Sequence, residues 1–218
     1  MKKCFLSIET SLNRIFLVLY YKQKLYSLKK NLEHSIEVEI NKMLGNILNE
    51  AKAKFSELDS ILVSLGPGSY TGTRVGLAAA KAISVSIDKP LLGYTNFDAI
   101  YKQGLLEKYI KKNSLSGIII RANKNECYYQ KINKETFSRI KVVNINEIKD
   151  NLSSSFKLIG NCSSFYNFQG YKSCLPKKHA ILEVYKSNYK SMDKINENEL
   201  VPLYIRGHYA EKNNEKRK

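Results

Sequence analysis

A short apolar run, Ile61 to Leu65, stops abruptly at Gly66-Pro67-Gly68, and no further proline interrupts the chain until Pro90. A run of that length ended by glycine and proline reads as a buried strand breaking into a turn. The residues that follow, from near Thr71 to about Ile87, read as a helix. The chemistry of this strand–turn–helix unit admits two readings. Gly66 and Gly68 allow backbone angles closed to other residues, and the unpaired N–H groups of a helix start can hold an anion or a capping hydroxyl such as Ser69, Thr71 or Thr73. Alternatively, Gly72, Gly76, Ala79, Ala80 and Ile83 fall on nearly one helical face and make a shallow ridge for another backbone to pack on. The Lys and Ser/Thr of a GxxxxGK[ST] loop are missing, so this is not a P-loop.

Around this unit the pattern is βββαβαβα. Three short strands, Lys3 to Ile8, Arg14 to Tyr21 and Lys24 to Lys29, form a meander. Ser35 then caps a helix whose apolar residues Ile36, Ile40, Met43, Leu44, Ile47, Leu48 and Ala51 recur at helical spacing. After the glycine-rich unit, Leu91 to Thr95 gives another strand, and Asn96 caps a helix through Ile110. Beyond Lys112 the pattern restarts. Strands are expected at Gly117 to Arg121, Glu126 to Ile132, Phe137 to Val143 and Phe156 to Gly160, with a short helix from Ile145 to Leu152. We therefore expect an N-terminal domain over 1–112 and a smaller α/β domain over 113–209. The basic tail 210–218, nearly all charged or amide residues, cannot bury enough apolar surface to stay ordered.

The chain has 218 residues, 43% apolar and 26% charged, which is a globular composition with enough length for two small domains. Ile15 to Tyr21 is too short to span a membrane, and the first residues lack the apolar core of a signal peptide, so a cytoplasmic protein with no membrane association is expected. Cys4, Cys127, Cys162 and Cys174 show no CxxC or finger spacing. His34, His179 and His208 are too dispersed for a helical metal motif, so neither a metal site nor a catalytic constellation is expected. Glu9 and Asp98 are the carboxylates that a paired-acid reading would invoke. A net charge of +16 attracts phosphate backbones, which fits an RNA-binding module, although a Lys-rich composition alone produces the same excess. Tyr128 and Tyr129, adjacent on a strand, should point to opposite faces and make a poor stacking platform.

Taken together, GPGSYTGTRVG with its small-residue helix, SIETS at Ser7 to Ser11, EHS at Glu33 to Ser35 and PLYIR at Pro202 to Arg206 resemble the TsaB family, also called YeaZ. The resemblance implies a two-lobed fold of the actin, sugar-kinase and heat-shock-ATPase (ASKHA) class. It also implies a supporting role in placing threonylcarbamoyl on N6 of the adenosine next to the tRNA anticodon. In that family the paralogue TsaD holds the metal and performs the transfer, and TsaE is an associated ATPase. The resemblance thus implies no catalytic residue and no cofactor of the chain's own, with ATP or ADP and metal on the partner subunits or at the junction. Any tRNA contact is implied through the complex. Pairing with the TsaD-like paralogue, or homodimerisation when alone, is expected through Ile36, Ile40, Met43, Leu44, Ile47, Gly72, Gly76, Ala79, Ala80 and Ile83, as faces exposed in a lone monomer. Bulky replacements at Gly72 or Gly76 should then abolish pairing.

Two positions depart from the family pattern. Glu9 stands where the first strand of this superfold usually ends in Asp, and Arg121-Ala122-Asn123 replaces a DAR-like turn. Glu9, Gly66, Gly68, Ser69 and Thr71 remain as candidates for a degenerate phosphate turn. The competing readings are a stand-alone ATP-dependent phosphotransferase or peptidase of the same superfold, and a plain RNA-binding module.

Overall fold

The computed structural model describes residues 3–31, 36–153, 156–189 and 200–205. Ser35, His34, Arg206, His208 and the tail 210–218 lie outside these described residues. The first sheet has the order β3-β2-β1-β4-β5, built from β1 (Phe5–Glu9), β2 (Arg14–Tyr21), β3 (Lys24–Asn31), β4 (Ser60–Ser64) and β5 (Leu91–Tyr94). The opening meander is antiparallel, as its tight turns require, whereas β4 joins β1 in parallel and β5 joins β4 in parallel. A parallel neighbour needs a crossover. Helices α1 (Ile36–Ala51) and α2 (Tyr70–Ile87) supply the two crossovers and cover one face of the sheet.

Side chains alternate between faces, so each strand feeds two cores. Leu6, Ile8, Ile15, Leu17, Leu19, Ile61 and Val63 pack under α1 and α2. Phe5, Phe16, Val18, Leu62 and Leu92 pack on the other side against α5 (Lys178–Tyr189). Burial on both faces explains why these strands read as unbroken apolar runs.

The second sheet has the order β11-β10-β6-β7-β8, with β9 also pairing β7. Its strands are β6 (Leu115–Arg121), β7 (Glu126–Asn133), β8 (Thr136–Phe137), β9 (Lys141–Asn144), β10 (Lys157–Gly160) and β11 (Tyr171–Ser173), with helix α4 at Ile145–Asn151. Helix α3 (Asn96–Leu106) connects the lobes. Its Phe97, Ile100 and Tyr101 share a core with Ile118, Ile120, Ile132 and Ile159 of the second sheet, while the helix also packs on α5.

The βββαβαβα order stands, with local differences. Helix α3 ends at Leu106 rather than Ile110, because Lys108 takes a left-handed backbone and the N–H groups of Tyr109 and Ile110 both turn back to the Gly104 carbonyl. The expected strand Phe137 to Val143 is two strands. Lys131 N donates to Ser138 Oγ, a side chain rather than a backbone carbonyl, and residues 138–140 leave the ladder there. Helix α5 and segment 200–205, both beyond residue 112, return to the first lobe: Leu200 joins its core and Leu203 N donates to Leu65 O at 2.8 Å. Among the described residues, no helix is long and apolar enough to cross a membrane.

Candidate functional site

Two distant sequence motifs, SIETS and GPGSYTGTRVG, meet at the ends of β1 and β4, while Glu33–Ser35 lies outside the described residues. The turn after β1 presents Thr10 and Ser11 to the start of α2. Thr10 Oγ1 donates to Gly72 O at 2.6 Å, and Ser69 N donates to Ser11 O at 2.8 Å. The contact is so close that a Cβ on Gly72 would lie 2.1 Å from Thr10 O, and one on Gly76 would lie 2.2 Å from Thr10 Oγ1. Gly68 faces Ser11 O in the same way. Gly68, Gly72 and Gly76 are therefore the face by which the glycine turn and α2 dock on the SIETS turn, as the packing reading required.

Asn96 holds the junction from the third side. Its amide nitrogen donates to Ser11 Oγ (2.7 Å) and Pro67 O (2.8 Å), its amide oxygen accepts from Ser64 Oγ (2.8 Å), and its backbone N–H donates to Gly66 O (2.7 Å). Asn96 was expected to cap α3, but Thr95 is the cap, in a reciprocal pair with Asp98. Sequence reasoning missed the bridging role. The signal was present in Thr95-x-x-Asp98, which frees the fully buried Asn96 for other partners.

Glu9 sits at the centre of the turn and is buried. One carboxylate oxygen accepts from Ser11 N (2.6 Å), Ser11 Oγ (3.0 Å) and Leu12 N (2.9 Å), and the other accepts from Arg14 Nε (3.0 Å). Arg14 in turn donates to Pro176 O at 3.0 Å and lies over the Phe16 ring. The carboxylate a nucleotide-bound metal would need is thus occupied by protein donors, and the residues present do not fit such a metal. Of the phosphate-turn candidates, Gly66 and Ser69 spend their N–H groups inside the protein, on Ser64 and Ser11, and Gly68 is pressed against the Ser11 carbonyl. Thr71 faces outward. Ser69 Oγ caps α2 by accepting from Gly72 N. Asp98 is exposed on its cap, so Glu9 and Asp98 do not form a pair.

The expected pairing face needs correction. Ile36, Ile40, Met43, Leu44 and Ile47 are not exposed; they are buried in the core beneath α1, because the apolar upper face of the first sheet requires cover. Gly72, Gly76 and Ala80 are buried as well, and Ala79 and Ile83 are half-buried against the same core. What α2 offers to solvent is its opposite side, Tyr70, Arg74, Ala78, Ala82 and Val85, the last 77% exposed. At its start, Arg74 lies over the Tyr70 ring at 3.9 Å and donates to Tyr204 Oη at 3.0 Å. Tyr204 belongs to the PLYIR stretch, so this motif also converges here.

In the second lobe Arg121 N donates to Asn161 Oδ1, and Asn123 orders the β6–β7 turn by accepting from the Asn125 and Glu126 N–H groups. Tyr128 and Tyr129 fall into cores on opposite faces of the sheet. His179 is exposed on α5, lining a shallow recess of about 690 Å³ with Tyr20, Lys24, Tyr26 and Glu50. Among the described residues no group of three or more His, Cys, Asp or Glu side chains is placed to hold a metal.

The family model described as TsaD, tRNA N6-adenosine threonylcarbamoyltransferase, matches residues 31–164. The tRNA threonylcarbamoyladenosine biosynthesis protein TsaB of Buchnera aphidicola from Acyrthosiphon pisum is 28% identical, over 78% of this chain and 79% of that protein. The TsaB protein of Haemophilus influenzae is 22% identical over 92% of each. A Pseudomonas aeruginosa crystal structure, described as an uncharacterized protein with similarity to peptidase YEAZ, superposes with a TM-score of 0.77 at 16% identity, covering 94% of this chain and 100% of that one. That likeness carries the fold, two lobes each built on a mixed β-sheet. With SIETS, GPGSYTGTRVG and Tyr204 of PLYIR gathered around the start of α2, and a family model spanning more than half its length, the chain belongs to the TsaD family, in the TsaB (YeaZ) branch.

Proposed function

We propose that the chain acts in tRNA threonylcarbamoyladenosine biosynthesis as a subunit that contributes binding energy and no reacting group. Its partner is a TsaD-like paralogue that carries the metal and the transfer chemistry, with a TsaE-like ATPase alongside and ATP or ADP on those subunits or at the junction. The work is done in the cytoplasm, where the tRNA is. The observation that carries this reading is the closed junction: Glu9, Ser11, Gly68 and Ser69 are hydrogen-bonded to or packed against one another where a nucleotide-binding member of the superfold needs open donors. Relatives named for the same pathway support it.

The pairing surface we assign is the outward side of α2, from Tyr70 and Arg74 through Ala78 and Ala82 to Val85. Small residues allow close approach of a second helix, and Tyr and Arg are the types that anchor interfaces. Without the paralogue, a second copy of the chain takes the same surface. Holding TsaD in its competent arrangement requires only that the pair bind that arrangement preferentially.

Co-purification with the TsaD-like counterpart, followed by transfer assays with and without the chain, tests the role. Joint elution and transfer that needs both is expected. Ala78→Arg with Ala82→Arg should abolish joint elution while leaving the chain folded. Turnover of ATP or substrate by the isolated chain would instead establish the enzyme reading. Gly72 and Gly76 are unsuitable for this test, since bulk there strikes the Thr10 turn before it reaches any partner.

A further inference from the structure

The second sheet ends in a patch of one sign. Between Lys108 and Lys141 the chain carries nine Lys or Arg and two Glu, and the fold gathers much of this charge at the end where β6 begins and β7 finishes. Leu115 opposes Asn133 there, and the β7–β8 turn holds Lys134 and Glu135. Lys112 pairs with Glu135 at 3.1 Å, which neutralises the carboxylate of this end. Four exposed cations stand beside that pair: Lys131, Lys134, Arg139 and Lys141. Lys141 opposes Tyr129, so Lys131, two residues beyond Tyr129, shares its face at the diagonal spacing of roughly 7–8 Å. The Ser138 N–H donates to Lys131 O and the Ser138 hydroxyl accepts from Lys131 N, which brings Arg139 to the same corner. Phe137, 41% exposed, opposes Ile132 and so lies on the other face of this hairpin from Lys131 and Lys141, with its ring edge-on to Tyr101 at 5.0 Å.

Like charges held on neighbouring strands repel, and this cost is offset when a polyanion displaces their counterions. A membrane surface would call for a broad apolar face to insert, and the edge of this hairpin presents one ring. We propose that this basic end of the second sheet grips the phosphate backbone of RNA, independently of the outward face of α2. The identity of that RNA as the tRNA being modified rests on the proposed function; the contact itself does not.

The test uses the full chain without partners and a labelled anticodon stem-loop, with binding followed by fluorescence anisotropy across a salt series. Reversing the patch (K131E/K134E/R139E/K141E) should weaken binding at least ~10-fold near 0.1 M salt and lower the log–log salt slope by about 3, at about 0.7–0.9 per phosphate contact. A second reversal of equal charge, K24E/K29E/K52E/K54E on the first lobe, should leave most of the slope in place. The glutamine version of the patch variant gives the same ordering with a smaller loss, and it serves if the glutamates disturb folding. Equal losses from both reversals would assign the affinity to overall charge and overturn the proposal. So would absence of RNA binding by the unaltered chain, including the case in which it binds anionic phosphatidylserine vesicles instead. Joint elution with the TsaD-like counterpart should be unchanged by the patch variant, and if no form of the chain co-elutes, the functional role falls while the RNA contact stands.

Discussion

Gly45 and Gly72 lie within two neighbouring helices and differ in what their missing side chains face. A Cβ on Gly45 meets nothing within 4 Å, whereas one on Gly72 would lie 2.1 Å from the Thr10 carbonyl oxygen. Gly45→Ala should therefore stabilise the chain by ~0.5–1 kcal/mol, the helix-propensity difference. Gly72→Ala should destabilise it by ~1–3 kcal/mol or more, since backbone must move to admit the methyl group. Urea denaturation of the two variants reads both, and a gain at Gly72 would mean that α2 does not dock on the Thr10 turn. The buried pair beside this contact has its own test. Removing the guanidinium with Arg14→Met leaves the Glu9 carboxylate buried without its counter-charge, at a cost of about 3–5 kcal/mol in the same assay. The glycines were legible in the sequence as a turn and a ridge. What they face was not, because Thr10 and Gly72 are 62 residues apart and nothing local to either names the other.

At the scale of elements, the apolar stripe of α1 could be read from spacing, since Ile36, Ile40, Met43, Leu44, Ile47 and Leu48 recur with the helical period, but spacing does not say that the chain's own sheet, rather than a partner, covers it. Helix α2 was harder. Alanine occupies both its inward and outward sides, so composition does not say which side the sheet covers; the glycine contacts with Thr10 decide it. The end of α3 shows a different limit, an ion network assembled from three segments. Glu107 binds Lys172 at 2.7 Å and Lys177 at 2.8 Å and accepts from Gln103, and these partners, the Lys172 hydrogen bond foremost, hold its carboxyl down to about 2. A carboxyl depressed in the folded state stabilises above its unfolded value near 4.5 and loses that contribution as pH falls toward about 2. With solvent screening allowed for, the network is worth about 1 kcal/mol. Glu107→Gln should accordingly be less stable than the unaltered chain at pH 7, and the gap should close between pH 4.5 and 2 in urea titrations. A gap independent of pH would show that the ion pairs contribute nothing and that packing explains the loss.

In the whole molecule, the boundary read at residue 112 does not describe how the lobes are built. Helix α5 comes after the second sheet yet seals the lower face of the first. Tyr185 is fully buried there, stacked on Phe5 at a centroid distance of 4.0 Å, with its hydroxyl 2.9 Å from Ser60 Oγ. Phe5, Phe16, Val18, Leu62 and Leu92 would otherwise meet water, an apolar face too large to leave open on a stable lobe. The sequence concealed this closure because, although Ile181, Val184 and Tyr185 lie at helical spacing, nothing local names the sheet they cover: Ser60, which Tyr185 reaches, is 125 residues away. Two consequences follow from a first lobe completed by the end of the chain. A fragment ending at residue 112 should fail to give a cooperative unfolding transition, although it holds the whole of the first sheet. In the full chain, Tyr185→Ala should cost about 3–5 kcal/mol, the range for emptying a buried aromatic site. Because α3 is packed into both lobes, that loss should move the unfolding of both together, with circular dichroism and tyrosine fluorescence giving coincident curves. Separate transitions, with the second lobe unmoved by the substitution, would show that the lobes are energetically independent and that α5 merely leans on a lobe already complete.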